Sequence, residues 1–281
     1  MVKLDSEWGS SVAKRGFQNE EDIVEKFEDW EDDIEVEKWL KILDYKKEDI
    51  ESLEVENLGN SVKPDIKLTI SISGQKHTEG ISIKRAKKNS NYNQVDKRWV
   101  EKYKEKWDMP EKVVKGLKMY TGRDGWKPEE IESDYKIPNL EEIRDERRLY
   151  FDELPKEFRE SIVKFFLENK ERIMNDIFRG DEPRADWMLV TRVYEEKDET
   201  LWTLRSMDNV IDIMSSLSKE RRVKEIRDGF GVTDSKRYCN IKLGKITVQR
   251  KGGTPQPQKL QFKMKPFDLV DENPKQQKIA S

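Results

Sequence analysis

Residues 62–99 read VKPDIKLTISISGQKHTEGISIKRAKKNSNYNQVDKRW, and this stretch decides the fold. Apolar and polar residues alternate from Ile66 to Ile72, which predicts a half-buried strand. We expect a turn at Gly74–Thr78, followed by a paired strand at Gly80–Arg85. A burst of Lys, Arg and Asn follows directly. The stretch therefore predicts a β-hairpin that leads into a positively charged segment.

The two predicted strands bring an aspartate close to a lysine. Side chains alternate between the faces of a strand, so Ser82 and Lys84 should share the face opposite Ile81 and Ile83. Asp65 stands at the start of the partner strand, within reach of Lys84. A carboxylate with nearby carbonyl groups suits Mg²⁺, and a lysine beside it can orient a water or neutralise a phosphate. These groups would suit phosphodiester hydrolysis. Alternatively, both residues would be structural: Asp65 would be a turn residue after a proline, and Lys84 would keep an edge strand soluble.

The composition excludes several kinds of site. The 281 residues include one histidine and one cysteine, which removes zinc fingers and metal sites with two histidines. A Ser-His-Asp triad would have to use His77, in the predicted turn. Cys239 cannot form an internal disulfide, and neither a secretory signal nor a membrane-length apolar run is present, so we expect a cytoplasmic protein with no membrane partner.

The charge is unevenly distributed along a chain whose net charge is −3. Residues 84–106 carry nine Lys or Arg against three Asp or Glu. Residues 235–267 carry nine Lys or Arg and no acidic residue. Two basic segments far apart in the sequence suggest one assembled basic surface, which favours a nucleic-acid partner.

The remaining pattern predicts an α/β (α+β) fold with a mixed β-sheet. Helical spacing is present at 10–29, 36–43, 95–119 (interrupted at Pro110), 156–178 and 208–218. Strands are predicted at 188–194 and 200–206, and a two-stranded hairpin at 240–266. We expect a single domain over residues 1–270, with a long surface loop or small insertion at 121–146 and a disordered polar tail at 271–281.

The chain resembles the PD-(D/E)XK nuclease superfamily in Pro64-Asp65 and Ser82-Ile83-Lys84. It is more closely similar to the HinP-type type II restriction endonucleases, which are related to the MspI type. The matching blocks are KRGFQNEEDIVEKFEDW (14–30), NYNQVDKRWVEKYKEKW (91–107), MNDIFRGDEPRADWMLV (174–190) and KITVQRKGG with KLQFKMKP (245–266).

This resemblance implies a fold, an activity and partners. The fold would be a restriction-endonuclease-like core, with a mixed sheet flanked by helices. The activity would be Mg²⁺-dependent cleavage of both strands of double-stranded DNA at a short GC-rich site, leaving 5′ overhangs. GCGC is the implied site, and a GCNGC-like site is the alternative. The protein would act as a homodimer or as paired monomers on DNA, beside a cognate DNA methyltransferase in a restriction–modification system.

The resemblance also assigns residues. Asp65 would hold the metal with the backbone carbonyl of Ile83, Lys84 would be the catalytic lysine, and Glu20 would be a helper carboxylate near the metal. The candidate DNA contacts are Lys87, Lys88, Tyr92, Asn93, Gln94, Lys97, Arg98, Gln249, Arg250, Lys251, Gln261 and Lys263. Arg250 and Lys251 would contact either bases or phosphates.

Ser82 is the departure from the pattern, and we include it among the catalytic candidates. The superfamily usually has Glu or Asp there, and the HinP type has Gln. Either one carboxylate with carbonyl groups suffices, or Glu20 or Glu79 helps, or the activity is weak with a higher metal requirement. The departure leaves open a DNA-binding protein of the same fold without cleavage, or one subunit of a two-chain nuclease. A repair or processing nuclease of the superfamily is a further alternative.

Overall fold

The computed structural model describes residues 18–59, 62–86, 92–123, 145, 148–194, 199–216, 223–227, 230–233, 241–250 and 259–270. For residues 193–194, 199–200, 223–227 and 230–233 the description extends to the backbone alone. The predicted tail at 271–281 and most of the predicted loop at 121–146 lie outside the described residues, as do Lys87, Lys88 and Lys251. No helix in the described ranges is both long and apolar enough to cross a membrane.

Helices and strands occur in groups along the chain. The helices are α1 (18–28), α2 (Ile34–Ile42), α3 (Val100–Trp107), α4 (Glu111–Thr121), α5 (Lys156–Glu168), α6 (Lys170–Arg179) and α7 (Met207–Ser215). The strands are β1 (Ser52–Asn57), β2 (Ile66–Ile72), β3 (Gln75–Ala86), β4 (Asn93–Trp99), β5 (Trp187–Tyr194), β6 (Glu199–Ser206), β7 (Val223–Arg227), β8 (Phe230–Thr233), β9 (Ile241–Leu243), β10 (Ile246–Arg250) and β11 (Lys259–Met264).

The chain divides into two units, each with its own sheet. The first comprises Met1–Asn91, Phe178–Val210 and Pro266–Ser281, and the second comprises Tyr92–Ile177 and Ile211–Lys265. The single domain predicted over 1–270 stays a prediction. A domain is defined by folding as one unit, and the division into two units by contacts does not test that.

The sheet of the first unit has the strand order β1-β2-β3-β5-β6. Strands β3 and β5 run parallel, and the other neighbours are antiparallel. Helices α1 and α2 cover one face through Phe27 and Trp39, which pack in one buried cluster with Ile81 and Ile83. The predicted mixed sheet flanked by helices is confirmed.

The sheet of the second unit has the order β4-β11-β10-β9-β8-β7, and every pairing within it is antiparallel. Phe262 of β11 packs in its core against the rings of Tyr103, Trp107 and Phe166. Helices α3 and α5 therefore contribute to this core through aromatic side chains.

The β2–β3 hairpin turns sooner than expected. Its turn is Ser73-Gly74, both with positive φ (51° and 72°), and β3 begins at Gln75. The predicted turn at Gly74–Thr78 was wrong, since a two-residue turn with both residues left-handed matches the twist of the strands. The Ser-Gly dipeptide carried this signal.

Three other predictions about secondary structure were wrong. The single helix predicted at 156–178 is two helices, α5 and α6, which meet at Asn169. Residues 93–99 form strand β4 instead of belonging to a helix over 95–119, because β4 pairs with β11. The predicted C-terminal pair of strands is three strands, since Gly244 adopts a positive φ of 57° and turns the chain between β9 and β10.

Candidate active site

Asp65 is held at the mouth of the β2–β3 hairpin by its own backbone. Its N–H donates to the carbonyl of Ile81 (2.9 Å), and its carbonyl accepts from the N–H of Leu58 (3.0 Å). The pairing of Ile66 with Ile81 places Asp65 opposite Ser82. These bonds fix the backbone of Asp65 beside β3, so that its side chain starts from a defined position opposite Ser82.

Three donors converge on one oxygen of Asp65. Oδ2 accepts from the hydroxyl of Ser82 (3.1 Å), from the N–H of Ile83, and from Nζ of Lys84 (3.1 Å). Lys84 Nζ also donates to the carbonyl oxygen of Ile83 (2.8 Å). The predicted shared face of Ser82 and Lys84 is confirmed, and so is the proximity of Asp65 to Lys84.

Gly80 lets a second segment pass close to this cluster. A Cβ at Gly80 would lie 1.9 Å from the carbonyl oxygen of Arg184. The carbonyl of Gly80 accepts from the N–H of Asp186 (2.8 Å), immediately before β5 begins. Only glycine fits here, because any side chain would push the entry to β5 away from β3.

Glu20 of α1 is electrostatically coupled to the same cluster. Burial, followed by the charge of Asp65, raises the pKa of Glu20 from 4.5 to about 6, and the charge of Lys84 acts in the opposite direction. The charges of Asp65 and Lys84 therefore both act on the Glu20 carboxyl, and its role as a helper carboxylate stays a prediction.

Glu79 belongs to the other side of β3. It is an odd number of residues from Ser82 and so faces away from it. Its carboxylate accepts from the hydroxyl of Tyr45 (2.7 Å) and from Nε1 of Trp187 (2.7 Å). The alternative in which Glu79 replaces the missing acidic residue was therefore wrong.

The donor set fits a hard divalent cation. Within the described ranges, Oδ1 of Asp65 has no hydrogen-bond partner, whereas Oδ2 accepts three hydrogen bonds. The carbonyl of Ile83 and the carboxylate of Glu20 are the other candidate oxygen ligands. Hard cations take oxygen ligands and keep several waters. Those same ranges hold no group of three or more His, Cys, Asp or Glu suited to a metal, so two carboxylates and a carbonyl are the available ligands.

Five of the twelve predicted DNA contacts lie on one face of the second unit's sheet. Gln249 pairs with Gln261, which pairs with Lys97, and Lys263 pairs with Gln94. A register shift after Phe262 places Gln94 opposite Lys263. We call these five residues the lysine–glutamine face. Burial lowers the pKa of Lys263. Lys242 and Lys259, which the sequence analysis did not name, lie on the same face by alternation. Lys242 is buried (2% exposed), and so is Gln261 (8%).

Arg98 and Arg250 lie on the opposite, apolar face, each paired with Leu260. Arg98 forms ion pairs with Asp96 (3.3 Å) and Asp176 (2.9 Å).

Arg250 is enclosed by protein groups. It donates to the carbonyl of Leu149 (2.8 Å) and stacks over the ring of Tyr150 at 3.8 Å. Burial lowers the pKa of its guanidinium. The prediction that Arg98 and Arg250 contact DNA therefore conflicts with their placement, because strand alternation turns both inward.

Tyr92 and Asn93 stand at the entry to β4. The exposed ring of Tyr92 has Nζ of Lys242 at 5.6 Å and Nζ of Lys265 at 5.2 Å from its centroid. Asn93 pairs with Met264 and is partly buried. Their predicted roles in binding DNA stay predictions.

Comparisons with known proteins agree with this geometry. A sequence model of the R.HinP1I restriction endonuclease family matches residues 44–270. The fold is similar to the crystal structure of the restriction endonuclease MspI in complex with its cognate DNA, with a TM-score of 0.57, 14% identity and 92% coverage of both chains. No curated protein sequence matches the chain.

Fold and family together define a type II restriction endonuclease, a site-specific hydrolase of DNA. The chain belongs to the R.HinP1I restriction endonuclease family. The family generally uses a divalent metal. The match begins at residue 44, so α1 and Glu20 lie outside it, and the placement of Glu20 rests on the structure of this chain.

Proposed function

We propose that this enzyme hydrolyses phosphodiester bonds in both strands of a short GC-rich site with Mg²⁺, leaving 5′ overhangs. The sites to test are GCGC and GCNGC. The observation that carries the proposal is the convergence of Ser82, Ile83 and Lys84 on one oxygen of Asp65. This arrangement leaves Oδ1 of Asp65 without a donor and puts the carbonyl of Ile83 in contact with Lys84, at the end of the β2–β3 pair.

The proposed chemistry uses two properties of the chain. Asp65, Ile83 and Glu20 would bind Mg²⁺, which would supply polarisation of the phosphate and activation of a water. Lys84, 3.1 Å from Asp65, would donate hydrogen bonds to the attacking water or to a phosphate oxygen and offset its charge.

The lysine–glutamine face would supply the contacts to double-stranded DNA. Glutamine amides donate and accept, so they can read base edges, and lysines suit guanine edges or phosphates. Lys87, Lys88 and Lys251 would add phosphate contacts, and Tyr92 and Asn93 would border the face. MspI, whose fold is similar, was crystallised in complex with its cognate DNA, which supports DNA as the ligand here.

We further propose a homodimer or paired monomers on DNA, since two equivalent strand cuts suit two-fold symmetry. The partner enzyme would be a DNA methyltransferase that protects the same site, and the compartment would be the cytoplasm.

A second candidate is a sequence-specific binder with weak or no cleavage, or one subunit of a two-chain nuclease. Ser82 favours it, because a hydroxyl adds no negative charge where the superfamily usually has a carboxylate. Glu20 argues for an active enzyme, since it can supply the second carboxylate.

Digestion of a sequenced plasmid, with Mg²⁺ and with chelator, tests the proposal. We expect discrete Mg²⁺-dependent fragments whose mapped ends give one GC-rich site and a 5′ overhang. A smear would indicate a processing nuclease. Retarded but uncut DNA would favour the binding protein, and ends at an AT-rich site would overturn the proposed specificity.

A further inference from the structure

Helix α1 carries Glu20 but is outside the part of the chain that matches the family. Its apolar side chains Ile23 and Phe27 are buried against the sheet of the first unit. Such packing fixes which side of the helix faces the sheet but defines its position along its own axis less sharply, because apolar contacts have no direction. A directional contact near Glu20 would set its position.

Asn19, the residue before Glu20, makes such a contact. Its Oδ1 accepts from the hydroxyl of Thr191 at 2.6 Å. Asn19 is 9% exposed and Thr191 2% exposed, so the bond is shielded from water. Removing one partner of a buried hydrogen bond leaves the other unsatisfied, which costs more than the bond itself contributes.

Thr191 is rigidly placed relative to the active-site cluster. In the parallel pair β3–β5, Thr191 is opposite Arg85, and Val190 is opposite Lys84. The Asn19–Thr191 bond thus ties the start of α1 to the strand beside Lys84. Glu20 follows Asn19 directly in α1. The bond therefore limits how far the carboxylate of Glu20 can move from Asp65.

We propose that Asn19 and Thr191 are positioning residues that hold Glu20 at the cation site. The inference rests on the proposed function, because it takes Glu20 and Asp65 as the carboxylates that bind the metal. It assigns a role to two uncharged side chains that touch neither the metal nor the DNA.

The test measures cation binding directly, with Mn²⁺ by calorimetry on the full chain, alongside Mg²⁺-dependent cleavage. Thr191→Val keeps the shape of the side chain and removes the donor, and Thr191→Ser keeps the donor. We expect Thr191→Val to weaken Mn²⁺ binding about fivefold, in keeping with one hydrogen bond. Thr191→Ser should bind as the wild type does, and cleavage at saturating Mg²⁺ should be largely retained in both.

A double-mutant cycle separates positioning from general destabilisation. In a Glu20→Gln background Thr191→Val should have no further effect on Mn²⁺ binding, because the group that it positions is gone. Asn19→Ala removes the bond from its other side and gives the same readout if Thr191→Val does not fold. An equal loss in both backgrounds, or an unchanged Mn²⁺ affinity in Thr191→Val and Asn19→Ala, would overturn the inference.

Failure of the proposed function has a different signature. If Asp65→Asn and Glu20→Gln both bind Mn²⁺ as the wild type does, the cation site itself is misplaced. If those two variants lose affinity and Thr191→Val does not, the site stands and the positioning role falls.

Discussion

At the scale of single residues, Oδ2 of Asp65 is saturated by three donors, and Oδ1 is left for a ligand. Lys84 is one of the three and also contacts the carbonyl of Ile83. The lysine therefore orders the groups proposed to bind a cation, before any cation arrives. Losing it removes a positive charge from the reaction centre and an anchor from Asp65.

The first prediction concerns Lys84→Ala and Asp65→Ala. Each should lower the cleavage rate at least about 100-fold, the lower end of what a positioned acid–base group contributes. DNA binding measured in Ca²⁺ should persist for Lys84→Ala. The control is Lys67→Ala, an exposed partner of Glu56 whose loss should cost almost nothing. Cleavage by Lys84→Ala above a few per cent of the wild-type rate would contradict the mechanism.

The second prediction concerns Ser82, whose hydroxyl donates to Asp65. Ser82→Ala should slow cleavage only about tenfold or less, since the two other donors still hold the carboxylate. Ser82→Glu should lower the Mg²⁺ concentration needed for half-maximal cleavage, because it adds a charged ligand. Titration of Mg²⁺ for the three proteins is the measurement, and an inactive Ser82→Ala enzyme would reveal a direct role for the hydroxyl.

The third prediction follows from the raised pKa of Glu20, about 6 against 4.5. Between these values the folded state binds more protons than the unfolded state, so ionised Glu20 lowers stability above pH 6 in metal-free buffer. The penalty is relieved as the pH falls through that window. Glu20→Gln should therefore raise the Tm in chelator at about pH 7.5 and give no gain near about pH 4.

The matched control for this prediction is Glu25→Gln, an exposed position on the same helix. It should leave the Tm unchanged at both pH values. A Glu20→Gln protein that melts below the wild type at the higher pH would show that the carboxylate is stabilising.

The core of the site could be predicted from the sequence, because strand alternation alone places Ser82 with Lys84 and a strand-start aspartate opposite them. Glu20 was named from the family resemblance alone, since no local pattern connects a helix at residue 20 to a strand at residue 84. The inward placement of Arg250 could be predicted from strand alternation. Adjacent strand residues face opposite sides, so Gln249 and Arg250 could not both point towards DNA.

At the scale of elements, neighbouring residues of β4 and of β10 lie on opposite faces of the sheet, one on the lysine–glutamine face and the next on the apolar face. Gln249 lies on the lysine–glutamine face, and Arg250 is enclosed against Leu149 and Tyr150. One strand thus carries a candidate binding group beside a structural one.

The fourth prediction compares these neighbours. Arg250→Ala should lower the free energy of unfolding by about 1–3 kcal/mol, because it removes the hydrogen bond to Leu149 and the buried stacking on Tyr150. The affinity of the folded protein should change by the same factor for cognate and non-cognate DNA. Gln249→Ala should leave the Tm unchanged and narrow the difference between the two DNAs. Thermal melts measure stability and binding titrations measure affinity. A loss of specificity in Arg250→Ala with a loss of stability in Gln249→Ala would contradict the faces described above.

Strand β4 shows why some elements escape sequence analysis. Its residues read NQVDKRW, a charged run with no clear alternation of apolar groups. Pairing with β11 decides its conformation, and β11 is remote in the sequence. The hairpin of β2 and β3 was predictable because its partners are adjacent along the chain and both alternate.

At the scale of the whole molecule, ligand binding should raise stability through mass action. The fifth prediction is that a GCGC or GCNGC duplex in Ca²⁺, at about 100 times its Kd, stabilises the fold by about 2.7 kcal/mol. For a chain of this size that corresponds to a rise in Tm of about 2–6 °C. A scrambled duplex is the control, and equal shifts for all duplexes would contradict a GC-rich recognition site.

The division of the chain into interleaved segments has a consequence for synthesis on the ribosome. The first unit includes Pro266–Ser281 as well as Met1–Asn91. Arg192 stacks on Phe267 at 4.6 Å, and Arg205 donates to the carbonyl of Leu269 (2.9 Å). Long-range closure of this kind slows folding. The hairpin that carries Asp65 and Lys84 emerges early, but the unit around it can be completed only after residues 266–270 have been synthesised.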